Sequence, residues 1–443
     1  MARLLIECTR TASSGLHTGI QRVVRRLTAE AQQLIPNHGF DSVISVVIDA
    51  DGWHALPALM PHTREAHGLA SPTRSGVSSL GSSPLSSPLS SPLSSSISPS
   101  LSSPVSPSIN LPLGPLTIQP DDHLLLVDAT WYLDAWPALH QAIDSGAQLH
   151  VIWHDLIPLQ HPEFFPHGLA PRFQRHLDQV IQHASSIQCV SATVRAQLAH
   201  YIHSTAPHKI NTLPLGVQHP GADGLYSGIA PREALRAMWP AHQITKGDAK
   251  PPLRLLAVGT LEPRKGHAVL LDACEAIWRD ADASPAARDL VLCIAGAPGW
   301  QVDALLARLH NHPELGGRLF MFNDLSDAEL DWCYTHASCL VYPSFAEGYG
   351  LPIAEAGWRG LPVLLSDTEI HREVAGPKAR YFAPRSAAAL EQTLRQCQTS
   401  AQFFEPSWPE PGRFRSWREM TNTLMQSLQQ TSHNPKVHHE PHH

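Results

Sequence analysis

Cys339-Leu340-Val341-Tyr342-Pro343-Ser344-Phe345-Ala346-Glu347-Gly348-Tyr349-Gly350-Leu351-Pro352-Ile353-Ala354-Glu355-Ala356 decides how this chain folds. The first four residues have the length and the β-branched and aromatic content of a buried strand. Gly348 and Gly350 break it, and Pro352 suits the first turn of a new helix. The two carboxylates stand eight positions apart, but the glycines and proline between them exclude one continuous helix. Glu347 therefore belongs to the loop and Glu355 to the helix. A helix start behind a glycine loop offers unpaired N–H groups and the positive end of the dipole, which favours phosphate oxygens. By themselves these residues leave two readings open: a ligand clamp, or a Glu355 that complements the helix dipole beside a solvated Glu347.

Working outward, the same strand, loop and helix rhythm fills the second half of the chain. A strand at 253–258 precedes the loop Gly259-Thr260-Leu261-Glu262-Pro263-Arg264-Lys265-Gly266 and a helix at 267–278. Further strands fall at 290–295, 318–322, 339–342 and 363–366. Arg264 can grip phosphate oxygens as a planar fork and Lys265 as a compact point charge. Either cation alone reads as a solvated surface group. Two such loops, each at a strand's carboxyl end in one lobe, point to a diphosphate site.

The first half repeats the rhythm. Strands are expected at 3–8, 42–49, 124–128, 149–153, 187–190 and 210–213, with a loop at 9–19 and helices at 170–184 and 193–202. Ile20, Val23, Val24, Leu27, Ala31 and Leu34 make one apolar helix face, with Thr18 as the expected N-cap and Gly19 at the helix mouth. His154 and Asp155 directly follow a strand, where open α/β sheets place their sites. Residues 71–120 break the pattern with repeated Ser-Ser-Pro-Leu; so much Pro and Ser cannot bury a core, and the segment reads as a disordered insertion. The expected organisation is a first lobe at 1–218 containing that insertion, a linker at 219–252, a second lobe at 253–415, a terminal helix at 416–431 packing back on the first lobe, and a disordered His-rich tail at 432–443.

A net charge of −7 with 16% charged residues leaves no basic footprint for nucleic acid. The seven cysteines form no CxxC pair, which suits reduced thiols in a cytoplasmic protein. Met1 to Glu7 meets an acid before a signal-peptide core can develop, and no run approaches the roughly 18 apolar residues of a membrane span.

These motifs together resemble the retaining glycosyltransferases of family 4, whose GT-B fold sets two Rossmann-like α/β lobes across a cleft. Glu347-x7-Glu355 looks like that family's Glu-x7-Glu motif, and Gly259 to Gly266 like its phosphate loop. Thr18-Gly19-Ile20-Gln21-Arg22-Val23-Val24, His154-Asp155-Leu156-Ile157-Pro158 and Leu213-Pro214-Leu215-Gly216-Val217 resemble a subgroup that builds bacterial surface polysaccharides, often with mannose. The resemblance implies that Arg264 and Lys265 bind the donor diphosphate and Glu355 the ribose hydroxyls. It implies that Glu347 touches the transferred sugar and His154 faces it from the first lobe. Gly348, Tyr349, Gly350 and Leu351 form the donor-side loop and helix start, and Gly19 lets the first helix approach the phosphate or the acceptor. Many relatives carry arginine directly after the strand glycine, where this chain has Thr260.

The chemistry expected is transfer of a hexose, mannose or a deoxyhexose, from a nucleotide sugar, GDP-mannose foremost, to a growing saccharide on a lipid carrier. Retention is implied by the resemblance. No Asp-x-Asp metal motif stands at a convincing strand end, so leaving-group charge falls to Arg264, Lys265 and helix N–H groups, with no cofactor and no metal. Glu347 would stabilise an oxocarbenium-like centre electrostatically. Peripheral membrane association through Arg22, Arg25 and Arg26 is the expected way to reach a lipid-linked acceptor. A non-catalytic sugar-nucleotide-binding scaffold is the alternative, and a nicotinamide enzyme lacks the GxGxxG that it would need after the first strand.

Overall fold

The computed structural model describes residues 2–14, 18–35, 39–57, 59, 113–224, 231–239, 252–281, 290–399 and 413–432. Most of the Ser/Pro-rich segment, much of the linker and the His-rich tail lie outside the described residues.

The first sheet contains β1 (Arg3–Glu7), β2 (Ser42–Asp49), β3 (Gly52–Ala55), β4 (Gly114–Pro115), β5 (His123–Leu126), β6 (Gln148–Trp153), β7 (Ser186–Cys189) and β8 (Leu215–Val217). Its order is β4-β3-β2-β1-β5-β6-β7-β8, parallel except for the antiparallel edge made by β3 and β4. The second sheet contains β9 (Leu253–Val258), β10 (Leu290–Ala295), β11 (Leu319–Phe322), β12 (Cys339–Tyr342), β13 (Val363–Ser366) and β14 (Arg380–Phe382). It is parallel throughout, in the order β11-β10-β9-β12-β13-β14. Both are doubly wound α/β sheets. The chain reverses direction between β1 and β5 in one and between β9 and β12 in the other, and ligands of open α/β sheets bind at such reversals.

The apolar runs form strands because both faces are covered. Every residue of β5, β12 and β13 is buried, as parallel sheets between helices require. Each Leu or Val so enclosed contributes about 1.5–3 kcal/mol relative to exposure. On helix Gly19–Leu34 the face of Val23, Val24, Leu27, Ala31 and Leu34 is buried, and helix Trp417–Ser432 packs against it.

Several expectations need correction. Residues 210–213 are not a strand: Thr212 and Leu213 donate their N–H groups to the Lys209 carbonyl at 3.1 and 2.9 Å, so a turn consumes the hydrogen bonds that a ladder would need, and β8 begins after Pro214. Residues 9–19 are not all loop, since Thr9–Ser13 is a short helix. Residues 113–120, read as part of the disordered insertion, belong to the fold: Leu113 and Leu116 donate to the Ala55 and Trp53 carbonyls at 2.8 and 2.7 Å, which seats β4 on the sheet edge. Thr18 occupies the N-cap position without a capping hydrogen bond, because its hydroxyl is spent on the Gln21 side chain.

Candidate active site

The site is built on the two loops that leave β9 and β12 at the reversal of the second sheet. Pro263–Lys265 is a single 3₁₀ turn, and the Arg264 carbonyl behind it accepts from Phe345 N–H at 2.7 Å and Ser344 Oγ at 3.2 Å. This ties the two loops into one surface. Gly350, with φ of +95°, makes the left-handed turn that starts helix Leu351–Trp358, with Pro352 in its first turn.

Glu347 lies at the centre of that surface. Its Oε1 accepts from Lys265 Nζ at 2.7 Å, Tyr342 OH at 2.8 Å and Ser344 Oγ at 2.5 Å, and its Oε2 from Arg264 Nη1 at 3.0 Å. Burial alone would raise this carboxyl. The charges of Lys265 and Arg264 prevail and hold it far below the usual carboxylate range. Burial and the neighbouring guanidinium lower the Lys265 ammonium in turn. Arg264 also meets Glu262, Nε to Oε2 at 2.9 Å, although the angle does not satisfy that N–H. Tyr342, Ser344 and Glu262 were not singled out by sequence reasoning. All three lie inside the two quoted stretches, so a search of those loops for hydrogen-bonding groups could have found them.

The first lobe reaches this surface through the turn after β6. His154 is buried, and its Nε2 donates to the Val127 carbonyl at 2.7 Å. Burial lowers its pKa, opposed by that carbonyl and by Asp128. The ring is thus a neutral imidazole with Nε2 turned into its own lobe. The part of the residue that meets the second lobe is its carbonyl oxygen, which lies against Gly348. Asp155 has its carboxyl raised by burial, partly offset by Arg264. Ser191 Oγ donates to the Gly348 carbonyl at 2.8 Å, a further tie between lobes.

Glu355 lies in helix Leu351–Trp358, and each of its carboxylate oxygens has a partner. Arg22, from the first lobe, pairs with its Oε1, and Tyr334 OH donates to its Oε2 at 2.7 Å. Arg22 also lies 3.6 Å from Asp327. Gly19 opens the helix that carries Arg22, and a Cβ added there would stand 3.6 Å from Leu351 Cδ1, so the two helix starts face one another. Tyr349 is buried, with its ring stacked on His219 at 5.6 Å. The structure therefore gathers Arg264, Lys265, Glu347, Gly348 and the His154–Asp155 backbone at one place, while Glu355, Leu351 and Gly19 form an adjoining contact and Tyr349 packs to the side.

The arginines of the first helix do not form a free basic face. Arg22 is engaged as above, Arg25 donates to the Thr11 carbonyl at 3.3 Å, and Arg26 lies 3.7 Å from Asp327. Sequence reasoning set them outward because the carboxylates that meet Arg22 and Arg26 belong to the second lobe. Among the described residues, no helix is long and apolar enough to cross a membrane.

Residues 242–401 match the family described as glycosyl transferases group 1. The serotype-specific mannosyltransferase WbdA of Escherichia coli is 32% identical over 320 residues, which covers 70% of this chain and 37% of that protein. The O-antigen chain mannosyltransferase B of Escherichia coli is 26% identical over 244 residues, 55% of this chain and 59% of the relative. The chain thus spans little more than a third of the first and under two thirds of the second. Among solved structures, Anabaena HepE in complex with UDP and glucose superposes with a TM-score of 0.59 at 13% identity, covering 97% of this chain and 99% of its own. Sucrose-phosphate synthase from Thermosynechococcus elongatus gives 0.54 at 16%, covering 97% and 95%. These two share the GT-B architecture with the present chain.

Proposed function

Because this chain carries a group 1 glycosyltransferase domain on a GT-B architecture, we propose that it transfers a hexose, mannose foremost, from a nucleotide-sugar donor to a growing saccharide. The single observation that carries the reading is the meeting of Arg264 and Lys265 with Glu347 at the reversal of the second sheet, directly against the His154–Asp155 turn of the first. Cations at that position suit the diphosphate, and a carboxylate beside them suits the positive charge that develops on the sugar. The mannosyltransferase relatives support mannose, and GDP-mannose is the donor to try first.

In this reading Arg264 and Lys265 neutralise the leaving diphosphate, aided by N–H groups at the adjoining helix starts, so transfer proceeds with retention and without a metal ion. Glu347 stabilises the oxocarbenium-like centre, and the His154 turn bounds the sugar from the first lobe. Glu355 meets the ribose, which requires Arg22 to yield one carboxylate oxygen. The acceptor is a saccharide, carried on a lipid at the cytoplasmic face of the membrane. With Arg22, Arg25 and Arg26 engaged within the protein, that basic face is no part of the proposed anchoring.

The test is a thermal-shift and transfer panel of GDP-mannose, other GDP-sugars, UDP-sugars and dTDP-sugars in EDTA, on wild type and Glu347→Ala. We expect one donor to stabilise both proteins and to be turned over by wild type alone. Folded protein that binds none of them would overturn the reading, and turnover that stops in EDTA and returns with a divalent cation would overturn metal independence.

A further inference from the structure

The two cations assigned to the donor are already committed within the protein. Lys265 Nζ holds Glu347 at 2.7 Å and Tyr342 OH at 3.0 Å, and Arg264 Nη1 holds Glu347 at 3.0 Å and the Ala346 carbonyl at 2.8 Å. Glu262 adds a second carboxylate at 2.9 Å from Arg264 Nε. The side chains of Glu347 and Glu262 are only 7% and 6% exposed, so bulk water screens neither pair. Two positive charges therefore face two negative ones in a poorly hydrated pocket, with Asp155 at its border.

We propose that Glu347 and the diphosphate of the nucleotide compete for Arg264 and Lys265, so that phosphate binding displaces the Glu347 carboxylate from the cations and releases it toward the sugar. The inference rests on the reading above that the diphosphate lies on these two residues. A diphosphate adds at least two negative charges to a group that is already balanced, and at low dielectric that addition is opposed unless a carboxylate withdraws. Glu347 is the one placed to do so. It engages both cations, Lys265 at 2.7 Å and Arg264 at 3.0 Å, so that its withdrawal frees both, whereas Glu262 pairs with Arg264. Competition also supplies order. The carboxylate's charge becomes available to the reacting sugar only when the phosphates have taken its place.

The experiment is titration calorimetry with GDP and UDP, neither carrying a sugar, on wild type, Glu347→Gln, Tyr342→Phe and Lys265→Ala, each checked for a native melting profile. Glu347→Gln removes the competing charge and is expected to bind the preferred nucleotide about tenfold more tightly or better, as loss of a charge-assisted pair implies. Tyr342→Phe removes one hydroxyl that holds Glu347 and is expected to bind a few-fold more tightly, while Lys265→Ala loses affinity. A residue serving the sugar alone would leave sugar-free nucleotide binding unmoved. If Lys265→Ala loses binding while Glu347→Gln and Tyr342→Phe match or fall below wild type, the diphosphate site stands and the competition is refuted. Absence of binding by all four folded proteins overturns both.

Discussion

At Gly348 a Cβ would stand 1.9 Å from the His154 carbonyl oxygen and 3.1 Å from Asp155 Cβ, a clash with backbone that no rotamer relieves. The residue is therefore a point at which the backbones of the two lobes pack tightly. Gly348→Ala is expected to hold them apart, lowering transfer by about 100-fold, the scale of an ångström's misplacement of reacting groups. Nucleoside diphosphate binding, which the proposed function assigns to the second lobe, should stay within a few-fold of wild type. An unchanged rate would show that this contact does not position the reaction. A second residue, Glu7, ends β1 at the reversal of the first sheet and is 1% exposed, with Oε1 accepting from Thr9 N–H at 2.7 Å and Oε2 unpartnered. Burial first, and the Asp128 carboxylate second, push its pKa up to about 8 from 4.5. A raised folded value means that the folded state holds the proton more tightly. The stability so gained is complete below pH 4.5 and is lost as pH rises toward 8, a change on the order of a few kcal/mol. Wild type should thus melt progressively lower between pH 5 and 8, and Glu7→Gln should flatten that slope; parallel profiles would refute the assignment.

Helix Ala192–Thr205 of the first lobe begins under a carboxylate from the second. Glu373, on helix Glu369–Ala375, accepts from Ala192 N–H at 2.7 Å, Thr193 N–H at 2.8 Å and Thr193 Oγ1 at 2.6 Å, satisfying donors that a helix start leaves orphaned. Burial opposes ionisation here, but hydrogen bonds from His219, Thr193 and the Ala192 N–H outweigh it and lower the pKa to about 2. The depressed value places this contribution above pH 4.5 and removes it as pH falls toward 2. Glu373→Gln should cost about 1–3 kcal/mol at pH 7 and converge with wild type near pH 2, read from denaturant melts; equal stability at pH 7 would show that the contact contributes nothing. Nothing in the sequence around Glu373 marks it, because its partners lie some 180 positions away. The same holds for Arg22, 333 positions from Glu355. What is legible locally is what local chemistry decides: the buried strands β5, β12 and β13 from their apolar runs, and the loop-then-helix placement of Glu347 and Glu355 from glycine and proline. The antiparallel edge β3–β4 escaped because one partner follows directly on a longer strand and the other is two residues at the end of a Ser/Pro-rich stretch.

Over the whole molecule, the chain crosses between lobes once more than a simple two-domain order needs. Helix Trp417–Ser432 comes after every strand of the second sheet, yet it completes the core of the first lobe. Trp417, Met420, Leu424, Met425 and Leu428 are buried, and the helix packs on Gly19–Leu34. Its entry is fixed by Trp417 N–H to Asp223 Oδ1 at 2.6 Å, Ala222 N–H to the Arg415 carbonyl at 2.9 Å and Gln218 Nε2 to the Met420 carbonyl at 3.0 Å. One continuous buried cluster accordingly joins this helix and the first sheet to Tyr349, Leu351, Ile353 and Ala354 of the second lobe. A first lobe missing this helix would leave helix Gly19–Leu34 without part of its cover, so the lobes should not unfold independently. Leu424→Ala opens a cavity in that cluster and is expected to cost about 2–5 kcal/mol. If the lobes are coupled as the packing implies, calorimetry will show the variant's single transition moving down as a whole, together with the temperature at which nucleotide binding is lost. A variant whose first-lobe transition moves while a separate second-lobe transition stays in place would show instead that the terminal helix is a cap on one lobe, and that the Arg22, Ser191 and Glu373 contacts are too weak to make the two lobes one cooperative unit.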